Sequence, residues 1–307
     1  MLSDFWILLR PFTLIAPILG ILSGISLALG FQDNSFTVFL SEHPLEVIFI
    51  ILASACLNNA SNILNQITDL EIDRLNKPLR PLVKGVFSIR FAAVFSIIFY
   101  LLSLFFASLI GPNNELGPLW IVATGALLTL AYSMPPIRTK KEGTLANLTI
   151  ALARGCLLPM CGWAVVDSPN HLTPWIFGGI YGLFIFGAAS TKDFSDAEGD
   201  ARFGCTTWVI RFGPDLAARI IAPFLFLPWI LLAVLWNTTN LLNPNENLNF
   251  AIANGICFTL IIYGIWISRT MISDINNLSI ENNHRSWKHI YLLYQISLIG
   301  IPLGYHF

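Results

Sequence analysis

Two short acidic runs carry most of the chemistry this chain could perform. The first reads Asn65-Gln66-Ile67-Thr68-Asp69-Leu70-Glu71-Ile72-Asp73, and the second Lys192-Asp193-Phe194-Ser195-Asp196-Ala197-Glu198-Gly199-Asp200. Only 11% of the 307 residues are charged, so two such concentrations of carboxylate need a cause. At ~100° per helical residue, Asn65, Asp69 and Asp73 fall within roughly 80° of one another, and Asp196 and Asp200 within about 40°. Glu71 and Glu198 then point the opposite way. Two aligned rows of oxygen donors suit Mg²⁺ held between protein carboxylates and a diphosphate. The plainer alternative is a pair of solvated acidic loops, but spacing and placement recur in both runs.

Each run follows an apolar segment. The chain is 55% hydrophobic with a mean hydropathy of +0.68, which indicates a polytopic membrane protein. Stretches of spanning length lie near 12–31, 45–64, 91–111, 117–134, 145–166, 174–190, 216–236, 249–268 and 287–305. The expectation is an all-α fold of about nine transmembrane helices in a single domain, 1–307. Continuous rather than alternating apolar runs argue against a β-barrel. The first segment lacks a small-residue cleavage site, so it reads as a span rather than a removable leader. The five cysteines are scattered and read as small core residues.

Lys and Arg are distributed unevenly. They occupy the N-terminus (Arg10) and the loops after the second, fourth, sixth and eighth segments. The alternate connections 32–44, 112–116, 167–173 and 237–248 contain none. The positive-inside rule places the N-terminus and both acidic runs on the cytoplasmic side and the C-terminus opposite. A faint internal echo, with segment pairs ending alternately in acidic and basic loops, hints at two halves around a central cavity.

Asn58, Asn62, Asn65, Asp69 and Asp73 follow one another at steps of three or four, a polar stripe running out to the membrane edge. Amides inside a bilayer are costly without partners and line bundle interiors. Asn147 and Arg154, seven apart, form a second such stripe; Arg154 serves equally well as a structural pair or as a ligand contact. After the first run the chain continues Arg74-Leu75-Asn76-Lys77-Pro78-Leu79-Arg80-Pro81, where prolines end the helix and return basic side chains over the acidic face. Carboxylates, Mg²⁺ and Lys or Arg together neutralise a diphosphate and stabilise it as a leaving group.

On these residues the sequence resembles the UbiA superfamily of intramembrane prenyltransferases. The likeness rests on N-x-x-x-D-x-x-x-D at Asn65, Asp69 and Asp73 with Arg80-Pro81 behind it, and on D-x-x-x-D at Asp196 and Asp200 with Gly204 following. Arg10-Pro11 and Tyr132-Ser133-Met134-Pro135-Pro136-Ile137-Arg138 add to it. It covers essentially the whole chain. The resemblance implies helices around a cavity, a cytoplasmic cap carrying the acidic motifs, and alkylation of an acceptor by the allylic cation of a polyprenyl diphosphate. Asn65, Asp69, Asp73, Asp196 and Asp200 would hold metal and diphosphate, assisted by Asp193. Arg10, Lys77, Arg80 and Lys192 would contact phosphate, and Ser133 and Arg138 would lie near the acceptor and diphosphate pocket. The implied partners are a polyprenyl diphosphate, a small aromatic or lipid acceptor and membrane lipid, with no nucleic acid.

Asn-Gln at 65–66, Asn-Lys-Pro at 76–78 and the Lys-Asp…Glu-Gly-Asp run look most like homogentisate prenyltransferases. Geranylgeranylglyceryl phosphate prenyltransferases and chlorophyll synthases share several of these pieces, and Tyr-Ser-Met-Pro-Pro leans towards the latter. An ion-coupled transporter is the alternative of another class; acids at helix ends rather than at the membrane midplane argue against it.

Overall fold

The computed structural model describes residues 2–110, 117–243, 247–280 and 284–307. The predicted connection 112–116, residue 111 of the third segment and 244–246 of the loop 237–248 lie outside the described residues. Those described are helical throughout their ordered elements, and no strand occurs among them; one parallel bridge joins Glu142 to Thr206.

The N-terminal half comprises α1 (Leu2–Leu9), α2 (Ile15–Phe31), α3 (Phe36–Glu42), α4 (Pro44–Thr68), α5 (Leu70–Asn76), α6 (Ile89–Ser108) and α7 (Gly117–Ser133). Then come α8 (Gly143–Ile150), a π-helical turn over Ala151–Cys156, α9 (Leu157–Val166), α10 (Leu172–Ala188) and α11 (Asp193–Arg202). The chain closes with α12 (Trp208–Ile221), α13 (Leu227–Thr238), α14 (Phe250–Ser273), α15 (Ile275–Leu278) and α16 (Arg285–Leu303).

Among the described residues seven stretches are long and apolar enough to cross a membrane: Ser3–Phe31, Pro44–Thr68, Ile89–Ser108, Gly143–Val166, Leu172–Arg202, Trp208–Thr238 and Phe250–Ser273. The two remaining predicted segments are also helices, but α7 has only 17 residues. The other, α16, begins with Arg285, Lys288 and His289 and is apolar only further on. The predicted loop 32–44 contains a short helix, α3. Ser35 starts it, its hydroxyl accepting from the Val38 amide.

Helix α2 joins two apolar cores. Leu27 and Ala28 pack with α10, α12, α13, α14 and α16, while Ile21 and Ile25 pack with α4, α7 and α9. The close approach of α2 to α9 depends on small residues, as is usual between membrane helices. A Cβ on Gly24 would strike the Pro159 backbone, and one on Gly162 the Ile21 backbone. A third, smaller core of Leu8, Ile63, Leu82 and Ala92 seats α1 beside the end of α4. This brings the segment around Arg10 alongside the polar stripe.

Candidate active site

Helix α4 breaks at Asp69 (φ −101°, ψ 14°), yet the backbone ladder continues. The Asp69 amide donates to Asn65 O at 2.9 Å, and the Asp73 amide to Asp69 O at 2.8 Å. Four-residue spacing therefore keeps Asn65, Asp69 and Asp73 on one side. Asp69 and Asp73 are buried, whereas Glu71 is exposed and pairs with Arg74 at 2.9 Å.

The buried carboxylates hold basic partners. Asn65 Nδ2 donates to Asp69 Oδ2 at 2.8 Å; Arg138 donates to Asp69 Oδ1 at 3.1 Å and to Thr68 O at 2.9 Å. Lys140 also pairs with Asp69, and Arg80 with Asp73. Burial pushes the Asp73 carboxyl above its usual range, against the opposing pull of Arg80 and Lys77. Burial is the largest single influence on Lys140 and would lower it, but Asp69, Tyr132 and Asp200 together outweigh it and hold the ammonium above its ordinary value.

The second run sits on α11, after a tight turn over Ala189–Lys192. Lys77 Nζ reaches Asp196 Oδ2 at 2.6 Å, and Lys192 Nζ lies 3.6 Å from the same oxygen. Asn76 Nδ2 donates to Asp196 O at 3.1 Å. Where α5 meets α11, a Cβ on Gly199 would overlap the Asn76 carboxamide, so glycine permits the contact. Asp200 is buried and close enough for Lys140 to feel it as well as Asp69. Asp193 is half-buried at the start of α11, and Glu198 is exposed, paired with Arg202 at 2.7 Å.

Beside these segments lies a cavity of about 270 Å³ whose lining includes Arg10, Asn65, Lys192, Tyr132, Arg154 and Tyr294. No Asp or Glu lines it among the described residues. Arg10 takes left-handed backbone angles (φ 54°, ψ 57°) just before Pro11, and Arg138 has φ 36°. Such angles cost energy outside glycine and cluster at functional sites. Thr13, one turn after Arg10, accepts from Asn58 at 2.8 Å and Asn62 at 2.9 Å, giving the intramembrane amides their partners.

The structure thus gathers Asn65, Asp69, Asp73, Lys77, Arg80, Arg138, Lys192, Asp193, Asp196 and Asp200 around one region, with Arg10 on the adjoining cavity. Ser133 stands apart. It is fully buried, its hydroxyl lacks a partner among the described residues, and Tyr132, one residue away on the helix, is the one that lines the cavity. The predicted Asn147–Arg154 stripe is also not a single stripe. Asn147 bonds Ser190 on the α10 side at 2.7 Å, while Arg154 turns to Asn58 on α4 at 3.4 Å. The π-helical turn that starts at Ala151 and contains Arg154 changes the winding, so a spacing of seven no longer returns to the same face. Lys140, which the sequence offers only as a topology marker, proves to be a partner of Asp69; its position just after Arg138 was the available signal.

All the candidate metal donors are oxygens, and Asp69, Asp73 and Asp200 are buried, a set that fits Mg²⁺ in kind. Among the described residues no three His, Cys, Asp or Glu side chains converge closely enough to hold an ion as they stand. Asp69, Asp73 and Asp196 each hold Lys or Arg instead.

Residues 36–271 match the model of the UbiA prenyltransferase family, well over half of the chain. The protein belongs to the UbiA family. It is a prenyltransferase and an integral membrane protein, rather than the ion-coupled transporter that intramembrane Asn and Arg also allowed. This UbiA-family chain is 28% identical over 312 residues to a homogentisate phytyltransferase of Synechocystis, covering 97% of this chain and 96% of the relative. It is 31% identical over 182 residues to a digeranylgeranylglyceryl phosphate synthase of Methanothermobacter thermautotrophicus, covering 58% and 61% respectively. The fold is that of a UbiA homolog from Archaeoglobus fulgidus solved bound to GPP and Mg²⁺, with a TM-score of 0.67, 18% identity, and coverage of 95% of this chain and 99% of that one.

Proposed function

We propose that this UbiA-family enzyme transfers a polyprenyl group from its diphosphate to an aromatic acceptor of the homogentisate type, in a Mg²⁺-dependent reaction. The single observation behind this is the joining of two distant acidic segments, Lys77 to Asp196 at 2.6 Å, beside a cavity with cationic and aromatic walls. Asn65, Asp69, Asp73, Asp196 and Asp200 would hold Mg²⁺, which supplies positive charge against the diphosphate oxygens.

The basic side chains that neutralise the carboxylates are those placed to bind the diphosphate: Lys77, Arg80, Arg138, Lys140 and Lys192, with Arg10 from the cavity. Asp193 supports the second segment. The allylic carbon–oxygen bond breaks and its electron pair leaves on the diphosphate. Tyr132 and Tyr294 line the cavity that would receive the cation, where aromatic rings can stabilise it. An acceptor carbon attacks it and then loses its proton.

In the membrane we place nine spans in one domain, α7 and α16 completing the seven. The acidic segments form a cap on the cytoplasmic side together with the N-terminus, and the C-terminus lies opposite. The Lys and Arg asymmetry of the loops supports this orientation. A geranylgeranylglyceryl phosphate or chlorophyllide acceptor is the alternative. The purified protein should be screened with prenyl diphosphates of several lengths against homogentisate, 4-hydroxybenzoate and geranylgeranylglyceryl phosphate. Product with homogentisate alone supports the reading; product only with the glyceryl phosphate replaces the acceptor.

A further inference from the structure

Arg154 is a cation in the middle of a membrane helix, exposed to the cavity. Among the described residues no carboxylate pairs with it; its guanidinium donates to Asn58 Oδ1 at 3.4 Å. Asn58 lies eleven residues before Asp69 on α4, so this contact sits about 16 Å from the acidic region along the helix axis. An unpaired guanidinium at such depth is costly unless something anionic meets it, and intramembrane charges of this kind mark binding sites.

The backbone around Arg154 is built to aim it. It lies in the π-helical turn Ala151–Cys156, a distortion that recurs at functional sites. Tyr294 Oη donates to the Arg154 carbonyl at 2.9 Å. The next residue, Gly155, packs so closely on Gly182 that a Cβ would come within 2.6 Å of its Cα. One face of the turn is thereby pinned to α10 while Arg154 points into the cavity beside Tyr132, Tyr291 and Tyr294.

We infer that Arg154 binds the carboxylate of the acceptor, so that the acceptor is an aromatic acid whose ring lies between this guanidinium and the acidic segments. The inference rests on the proposed prenyl transfer and adds the specificity element to it. A planar guanidinium holds a carboxylate through two parallel hydrogen bonds, which orients the ring as well as retaining it. The diphosphate has its own basic partners at the acidic segments, leaving Arg154 for a second anion.

The test is equilibrium binding to the full-length protein in detergent, followed by intrinsic tryptophan fluorescence. The probes are homogentisate, its methyl ester and geranylgeranylglyceryl phosphate. Wild type should bind the acid about tenfold or more tightly than the ester. Arg154→Gln should bring the two together, and Arg154→Lys should retain part of the preference. If Arg154→Gln does not fold, Arg154→Lys carries the comparison, with a loss of about threefold or more expected. An acid preference unchanged in the variants, or no acid binding by wild type, overturns the inference. Arg154-dependent binding of the glyceryl phosphate but not of homogentisate overturns it in favour of a phosphate head-group. Arg154-dependent binding of homogentisate with no transfer from any donor sustains the carboxylate site and counts against the proposed reaction instead.

Discussion

Lys77 Nζ, just beyond the first acidic segment, donates to Asp196 Oδ2 of the second across 2.6 Å. The two residues are 119 positions apart in the chain. Neither segment has charge balance by itself: Asp196 draws on both Lys77 and Lys192, and Asp69 on Arg138 and Lys140 from beyond α7. The site therefore exists only when three parts of the chain meet, and its behaviour on mutation should show that dependence.

Carboxylates on the inner faces should be essential and those on the outer faces dispensable. Asp69→Asn and Asp196→Asn should each remove several kcal/mol of transition-state stabilisation, where each ~1.4 kcal/mol is tenfold in rate. Glu71→Gln and Glu198→Gln break only exposed pairs with Arg74 and Arg202 and should change the rate by about twofold or less. Prenyl transfer measured at matched expression separates the sets. Equal losses in Glu71→Gln and Asp69→Asn would mean the faces are wrongly assigned.

Gly199 should prove intolerant of even a methyl group. Gly199→Ala drives a Cβ into the Asn76 carboxamide, which must shift and crowds the contact of α5 with α11, so transfer should fall by about threefold or more. Removing the obstruction with Asn76→Ala in the same chain should recover part of that loss. A double variant no better than Gly199→Ala would show that the contact does not set the spacing.

Lys140 should keep its charge well into the alkaline range. Its folded pKa lies above the ordinary 10.5, so its contribution to stability is fully present below that value and disappears only as pH rises through the higher folded one. The drop in thermal midpoint caused by Lys140→Gln should therefore be the same at about pH 7 and about pH 9. A penalty that vanished by about pH 9 would contradict the Asp69–Lys140 pairing.

Much of this site was legible because it follows simple periods. Four-residue spacing put Asp69 and Asp73 inward and Glu71 outward, and the ladder through the Asp69 break preserves that phase. Continuous apolar runs located the rods. What escaped depends on contacts between segments. The π-helical turn at Ala151–Cys156 arises where Gly155 meets Gly182 and Tyr294 takes a carbonyl, and hydropathy carries no trace of either. The role of Lys140 is equally tertiary. Ser133 and Tyr132 could not be told apart, because the helix had no known phase relative to the cavity.

Orientation is open to direct labelling. Single cysteines near 79, 140 and 203 in a cysteine-free background should react only with cytoplasmic reagent, and those near 36 and 243 only from the opposite side. Mixed reactivity within either set would break the nine-span arrangement.

The central claim is that both acidic segments act together, through Mg²⁺, on a prenyl diphosphate. Single-turnover transfer from radiolabelled geranylgeranyl diphosphate to homogentisate, with Mg²⁺ and then in EDTA, tests it most directly. The account predicts product with Mg²⁺, none in the chelator, and recovery when the metal is restored. Full transfer in EDTA would contradict it.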